Sequence, residues 1–232
     1  MATFLDGVRD LALECHTSPP SSVVSQVGEH GLFVKWFRDA YTDIQNRKEW
    51  RWLTHAFTIN TVDGSGSYRY SECIDAEAGV AITRFSKWLL ADDNDPPKIY
   101  LQSSGAAGER WLIWLPWDQF KQIYKIGSQN NGSPVHISVD HLDQIHLGPI
   151  PNGTYVVTGN YIMSAQTLSE NSHIPEMPPQ FHSLIVYRAM EKYGYYESAQ
   201  EVILRAQREG KRVMRQLEID QSPKFYASRP MV

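Results

Sequence analysis

The chain has 232 residues, 42% apolar and 21% charged, a balance that supports a globular core and excludes a disordered chain. Its formal charge of -4 excludes the basic excess of a protein whose main partner is nucleic acid. No apolar run reaches the roughly 18–20 residues of a membrane span, and Cys15 and Cys73 form no CxxC motif, so both are expected as reduced, buried thiols of a protein made in a cytoplasm.

The N-terminal stretch, broken by Asp6, Arg9 and Asp10, is not a signal peptide. It reads instead as a helix capped by Thr3 with Asp6 three residues on, followed by Leu5, Val8, Leu11, Ala12 and Cys15 at helical spacing. Residues 17–22, with Pro19 and Pro20, form a loop. A second helix is predicted over 28–46, where Leu32, Phe33, Trp36, Phe37, Ala40, Tyr41 and Ile44 make an apolar stripe. Trp36, Phe37, Tyr41 and Ile44 are expected to face inward against Leu184, Ile185 and Val202.

After Trp52 the pattern turns to strands. Those predicted are 54–61, a half-buried one at Tyr68 and Tyr70, 82–90, 98–101, 111–115, 135–139, 141–147 and 155–163. Turns fall at 63–67, 92–97, 127–134 and 149–153, and a helix start follows Pro116. Helix returns after Pro178-Pro179 through Tyr193, where Gly194 is a possible break, and again in a long amphipathic stretch holding Ala199, Val202, Ile203, Ala206, Val213 and Leu217.

The expected fold class is α+β: a helical bundle from both chain ends, an inserted antiparallel β-sandwich-like domain and an extended C-terminal tail. The corresponding segments are 1–52 (bundle), 53–168 (β-rich insertion), 169–219 (bundle) and 220–232 (tail). Seven Trp and twelve Tyr fit either a large aromatic core or wide subunit interfaces.

Catalytic and metal-binding patterns are not found. His136, His141 and His146 recur every five residues, which suits neither one helix face nor one strand face, so they read as separate structural positions. His182, at a helix start, reads the same way. Gly64-Ser65-Gly66 and Gly105 to Gly108 lack the Lys and Ser/Thr of a phosphate loop. Asp92, Asp93 and Asp95 lack the bidentate Glu of a calcium loop and form a solvated acidic turn. The expectation is no catalytic residue, no cofactor and no metal.

Two features are left for binding. Arg205, Arg208, Lys211, Arg212 and Arg215 lie largely on one side of the last helix: either a solvated face pairing with Glu201 and Glu209, or a surface for an acidic partner or passing DNA. The tail holds Phe225, Tyr226, Pro230 and Met231, apolar anchors suited to a segment that orders on a partner.

Three longer stretches carry a resemblance: WFRDAYTDIQNRKEWRWL (Trp36 to Leu53), HLGPIPNGTYVVTGNYIM (His146 to Met163) and IPEMPPQFHSLIVYRAMEKYGYYESA (Ile174 to Ala199), with LEIDQSP (Leu217 to Pro223) behind them. In this order they resemble the head-to-tail adaptor, or connector, proteins of tailed bacteriophages. That resemblance implies a virion protein of the phage neck, not an enzyme, in a dodecameric ring beneath the portal. The ring surrounds a DNA channel, tail or nozzle proteins lie on its other side, and the C-terminal tail reaches the portal. On that reading Arg208, Arg212, Arg215, Phe225, Tyr226, Pro230 and Met231 are the portal-binding candidates. A tail-completion or tail-tube subunit is the alternative among virion proteins. A carbohydrate- or ligand-binding β module, with Trp111, Trp114 and Trp117 as stacking platform, is the alternative from another class, although Trp111 and Trp114 would face opposite sides of one strand.

Overall fold

The computed structural model describes residues 3–92 and 95–222. In chain order the first elements are α1 (Phe4–Glu14), α2 (Gly28–Gln45), β1 (Thr54–Asn60), β2 (Ser67–Tyr68), β3 (Ile74–Asp75), β4 (Lys87–Leu89), β5 (Lys98–Leu101), β6 (Arg110–Trp111) and β7 (Ile113–Trp114). There follow α3 (Trp117–Tyr124), β8 (His136–Val139), β9 (Ile145–Gly148), β10 (Tyr155–Ile162), α4 (Ser183–Tyr196) and α5 (Gln200–Gln221). The fold is α+β, and the strand pairs are antiparallel except β7 with β8. The chain divides into two compact units, Met1–Trp52 with Ala165–Val232, and Leu53–Ser164.

In the helical unit, α1 begins on a capping box. The Thr3 hydroxyl accepts the Asp6 N–H at 3.2 Å and the Asp6 carboxylate accepts the Thr3 N–H at 3.0 Å, which satisfies donors that a helix start leaves free. One face of α1 is buried through Phe4, Val8, Leu11 and Ala12. The apolar stripe of α2 buries Phe33, Val34, Phe37, Ala40, Tyr41 and Ile44. Helix α4 packs on α1, α2 and α5 and buries Leu184, Ile185, Val186, Ala189 and Met190. Gly194 lies inside α4 and does not break it. A Cβ there would sit 2.7 Å from Ile203 Cγ1, so its absence lets α5 close tightly on α4.

Two inward positions differ from the sequence reading. Trp36 is only half-buried, lying edge-on to Phe33 and Tyr193 with centroids 5.7 and 6.0 Å away. Val202 is also half-buried, and its neighbour Ile203 takes the inward place. The fully buried tryptophan is Trp50, 1% exposed. Its indole N–H donates to the Ile44 carbonyl at 2.7 Å, at the open C-terminal end of α2, and its ring stacks on Trp52 with centroids 4.7 Å apart.

In the other unit one sheet runs β3-β1-β10-β5-β6, with β4 also paired to β10, and a second runs β2-β9-β8-β7. Strand alternation sends Phe57, Ile59, Ile99, Val157 and Tyr161 of the first sheet and Tyr68, Ile137, Ile145 and Leu147 of the second into one shared core. The run 111–115, expected as a single strand, changes sheets. Trp111 pairs with Lys98 of β5, Leu112 is buried between, and Ile113 and Trp114 pair with His136 and Ile137 of β8. At the far side, residues 67–75 do the same: β2 ends the second sheet, a short 3-10 turn over Tyr70–Glu72 follows, and β3 ends the first. Tyr70 is therefore in that turn, stacked on Phe85 at 4.9 Å, and not in a strand. Only Lys87–Leu89 of the 82–90 stretch is strand. Residues 140–144 form a turn because the Asp140 carboxylate accepts the N–H groups of Leu142 and Gln144 at 2.8 and 2.9 Å, so β9 starts only at Ile145.

Candidate functional site

Helix α5 is strongly two-faced. Ile203, Ala206, Gly210, Val213, Met214 and Leu217 are buried. At 100° per residue, Leu204, Arg208, Lys211, Arg212, Arg215 and Ile219 fall on the opposite side within one outward stripe, and all six are exposed. Leu204 and Ile219 are 57% and 67% exposed and bracket the cations. Arg208 and Arg212 both reach Glu209, at 3.3 and 3.0 Å, and the pull of the two guanidiniums holds that carboxyl below its usual range. Such exposed pairs are screened by solvent and add little to stability, so they do not tie the cations down. Arg205 leaves the stripe and meets Glu14 of α1 at 2.6 Å. The sequence pattern therefore located the cations, but missed the two apolar residues that flank them, which sit four residues from Arg208 and Arg215. Phe225, Tyr226, Pro230 and Met231 lie outside the described residues.

The histidines resolve into two kinds. The β8–β9 register sets Ser138 opposite His146 and His136 opposite Gly148, so all four share one sheet face, and α3 covers it. Trp117 stacks on His146 at 4.5 Å, and the Tyr124 hydroxyl bonds His136 Nδ1 at 2.7 Å. Gly148 permits this cover, since a Cβ there would meet the Tyr124 ring at 2.5 Å. Burial pushes the His136 pKa down, and burial also lowers that of His146 against the opposing pull of the Asp140 carboxylate, which accepts from Nε2 at 3.0 Å. Burial under α3 thus favours the neutral form of both rings. His146 Nδ1 and Ser138 Oγ are buried without a hydrogen-bond partner. His141 stays exposed on the turn. Two of the three histidines expected as separate positions are therefore brought to one face by strand pairing. Among the described residues no group of three His, Cys, Asp or Glu is placed to hold a metal ion.

A second polar network fixes the first sheet. Asp75 accepts from His55 Nδ1 at 3.0 Å, the Tyr161 hydroxyl at 2.7 Å, and the N–H groups of Glu77 and Ala78 at 2.8 and 2.9 Å. Burial raises its pKa, but these four donors together outweigh burial and hold the carboxyl low. The same contacts tie β1, β3 and β10 together, a structural task.

Other sequence candidates are dispersed. His182 sits at the start of α4 with Nε2 bonded to the Met177 carbonyl at 2.8 Å. Asp95 accepts the Asn160 amide at 2.7 Å, and Asp93 lies outside the described residues. Trp111, Trp114 and Trp117 belong to β6, β7 and α3, and the third is taken up by His146. Burial pushes the thiols of Cys15 and Cys73 up to about 12, which makes both unreactive. Among the described residues no helix is long and apolar enough to cross a membrane.

No curated protein matches the chain. The family described as SU10 adaptor protein matches it over residues 2–230, nearly its whole length. The chain belongs to that adaptor family, in agreement with the head-to-tail adaptor motifs at Trp36 to Leu53, His146 to Met163 and Ile174 to Ala199.

Proposed function

We propose that this chain is a structural protein of a tailed-phage virion, a head-to-tail adaptor that forms a ring beneath the portal and bridges capsid and tail around the DNA channel. The observation that carries the reading is the adaptor-family match over residues 2–230. The ring is a dodecamer in the neck of the particle, its subunits are made in the host cytoplasm, and its partners are the portal protein above and tail or nozzle proteins below. The protein performs no catalysis and takes no cofactor or metal. DNA passes close by without sequence-specific contact, and no membrane is involved.

The portal-facing groups are the outward stripe of α5, with Arg208, Arg212 and Arg215, and the tail anchors Phe225, Tyr226, Pro230 and Met231. Cations bracketed by apolar side chains suit an acidic partner surface: the charges steer the encounter and the apolar groups hold it. Cryo-electron microscopy of the purified protein mixed with portal tests the reading, with a ring on the portal as the expected image. Deleting residues 221–232 should leave a folded subunit whose portal affinity falls about tenfold or more, the effect of losing buried aromatic anchors. Unchanged affinity would remove the tail from the contact, and free particles with no ring on any portal would sink the adaptor role.

A further inference from the structure

We infer that the Leu53–Ser164 unit carries two different, complementary edges by which one copy of this chain joins a second copy head to tail. The inference rests on the ring proposed above and names the surfaces that build it.

Both sheets end on the same short segment. Among the described residues β6 is the last strand of one sheet and β7 the last of the other, with only Leu112 between them. Leu112 is 2% exposed, whereas Trp111, Ile113 and Trp114 are 57%, 54% and 39% exposed. Single exposed apolar residues are ordinary. Three within four positions, on strands that close two sheets at once, make an open template for another chain.

The opposite edge is built differently. There β2 and β3 end the two sheets, and residues 80–82 lie outside β3 through Asp75 N–H to Val80 O at 2.8 Å and Ile82 N–H to Cys73 O at 3.0 Å. Tyr70 and Val80 are exposed along it, at 39% and 59%, and Val62, 62% exposed, lies on the turn into β2 with its N–H bonded to the Tyr68 hydroxyl at 3.1 Å. The charges are unlike. Residues 62–82 expose three acidic groups (Asp63, Glu72, Glu77) against Arg69 alone, while in residues 98–126 Lys98 pairs with Glu109 and Lys121 with Asp118, which leaves Arg110 and Lys125 as exposed excess cations.

These signs decide the geometry. A two-fold dimer through residues 110–114 would set basic flank against basic flank and leave the acidic edge open. Contact between the 110–114 edge of one copy and the 62–82 edge of the next covers both apolar strips and pairs opposite charges. Each copy then keeps one free edge at either end, the heterologous arrangement that closes into a ring when the rotation allows.

The test uses two full-length variants, one with Trp111→Glu and Ile113→Glu, the other with Val62→Lys and Val80→Lys. All four positions are exposed, so far-ultraviolet circular dichroism should stay that of the wild type. Sedimentation should show concentration-dependent self-association of the wild type, weakened about tenfold or more in each variant alone. Mixed, the variants should pair one to one through the intact edge each retains, and stop there. A wild type that stays monomeric at its highest attainable concentration overturns the inference. So does a lysine variant that still self-associates, which would mean a two-fold contact, or a mixture that fails to pair. Hydrogen exchange on the wild type gives a readout free of substitutions: protection of 110–114 and 62–82 should rise with concentration, and its absence is equally fatal. Attachment of the glutamate variant to portal is measured in parallel. Retained attachment with lost self-association, or with none in the wild type, separates failure of these edges from failure of the adaptor role.

Discussion

Trp50 offers the most direct test of how the helical unit is held together. The side chain is 1% exposed, its indole N–H closes on the Ile44 carbonyl at 2.7 Å, and its ring lies on Trp52 with an interplanar angle of 17°. Trp50→Ala removes burial and leaves a cavity, a loss of about 3–5 kcal/mol for a core aromatic. The stacked pair contributes about 0.5–1.5 kcal/mol beyond its burial, and the hydrogen bond about as much, though part of both already counts in the truncation, so about 4–6 kcal/mol is expected in all. Against a total of about 5–15 kcal/mol, that is enough to unfold much of the unit near physiological temperature. Trp50→Phe keeps an apolar ring but loses the donor to Ile44, and should cost about 1–3 kcal/mol. Trp36 is half-buried, and Trp36→Ala should cost less than Trp50→Ala, about 1–2 kcal/mol, leaving soluble protein. The assay is urea denaturation of the full chain followed by far-ultraviolet circular dichroism, which reports mainly the helices. If Trp36→Ala proves as destabilising as Trp50→Ala, the assignment of the buried anchor to Trp50 is wrong.

The remaining predictions concern titratable groups. The folded-state pKa values of His136 and His146 are depressed, so the unfolded chain takes up protons first as the pH falls. Stability of the Leu53–Ser164 unit should therefore be full above a pH of about 6.5 and decline below it, with Asp75 and Asp140 adding a second loss only below about 4. Urea midpoints measured across that range should fall with acidity in the wild type and change less in His146→Gln; a midpoint that rises on acidification would refute the neutral-histidine account. Cys15 and Cys73, with thiols raised to about 12, should resist a thiol reagent in the native protein and react promptly in denaturant, and rapid native labelling would show that one of them is open to solvent.

Much of the helical unit was legible in the amino-acid order because helix formation there is local. The Thr3–Asp6 box, the period of 3.6 through α2 and the two faces of α5 depend on residues three and four apart, and they lie where the pattern placed them. The cations at Arg208, Arg212 and Arg215 were legible for the same reason, since the helix period alone sets which residues share a side. What the tertiary structure decided depends on partners far apart in the chain. Strands β6 and β7 have two residues each, too short to show alternation, so only pairing with β5 and β8 reveals that the run 111–115 passes between sheets at Leu112. His136 and His146 share one face under α3 because a turn at Asp140 sets the β8–β9 register, and a register is a property of two strands. Trp50 lies beyond the end of α2, outside any periodic stripe. Its place is set by the bond to the Ile44 carbonyl at the helix end and by the Trp52 ring, an environment that exists only once the chain has folded.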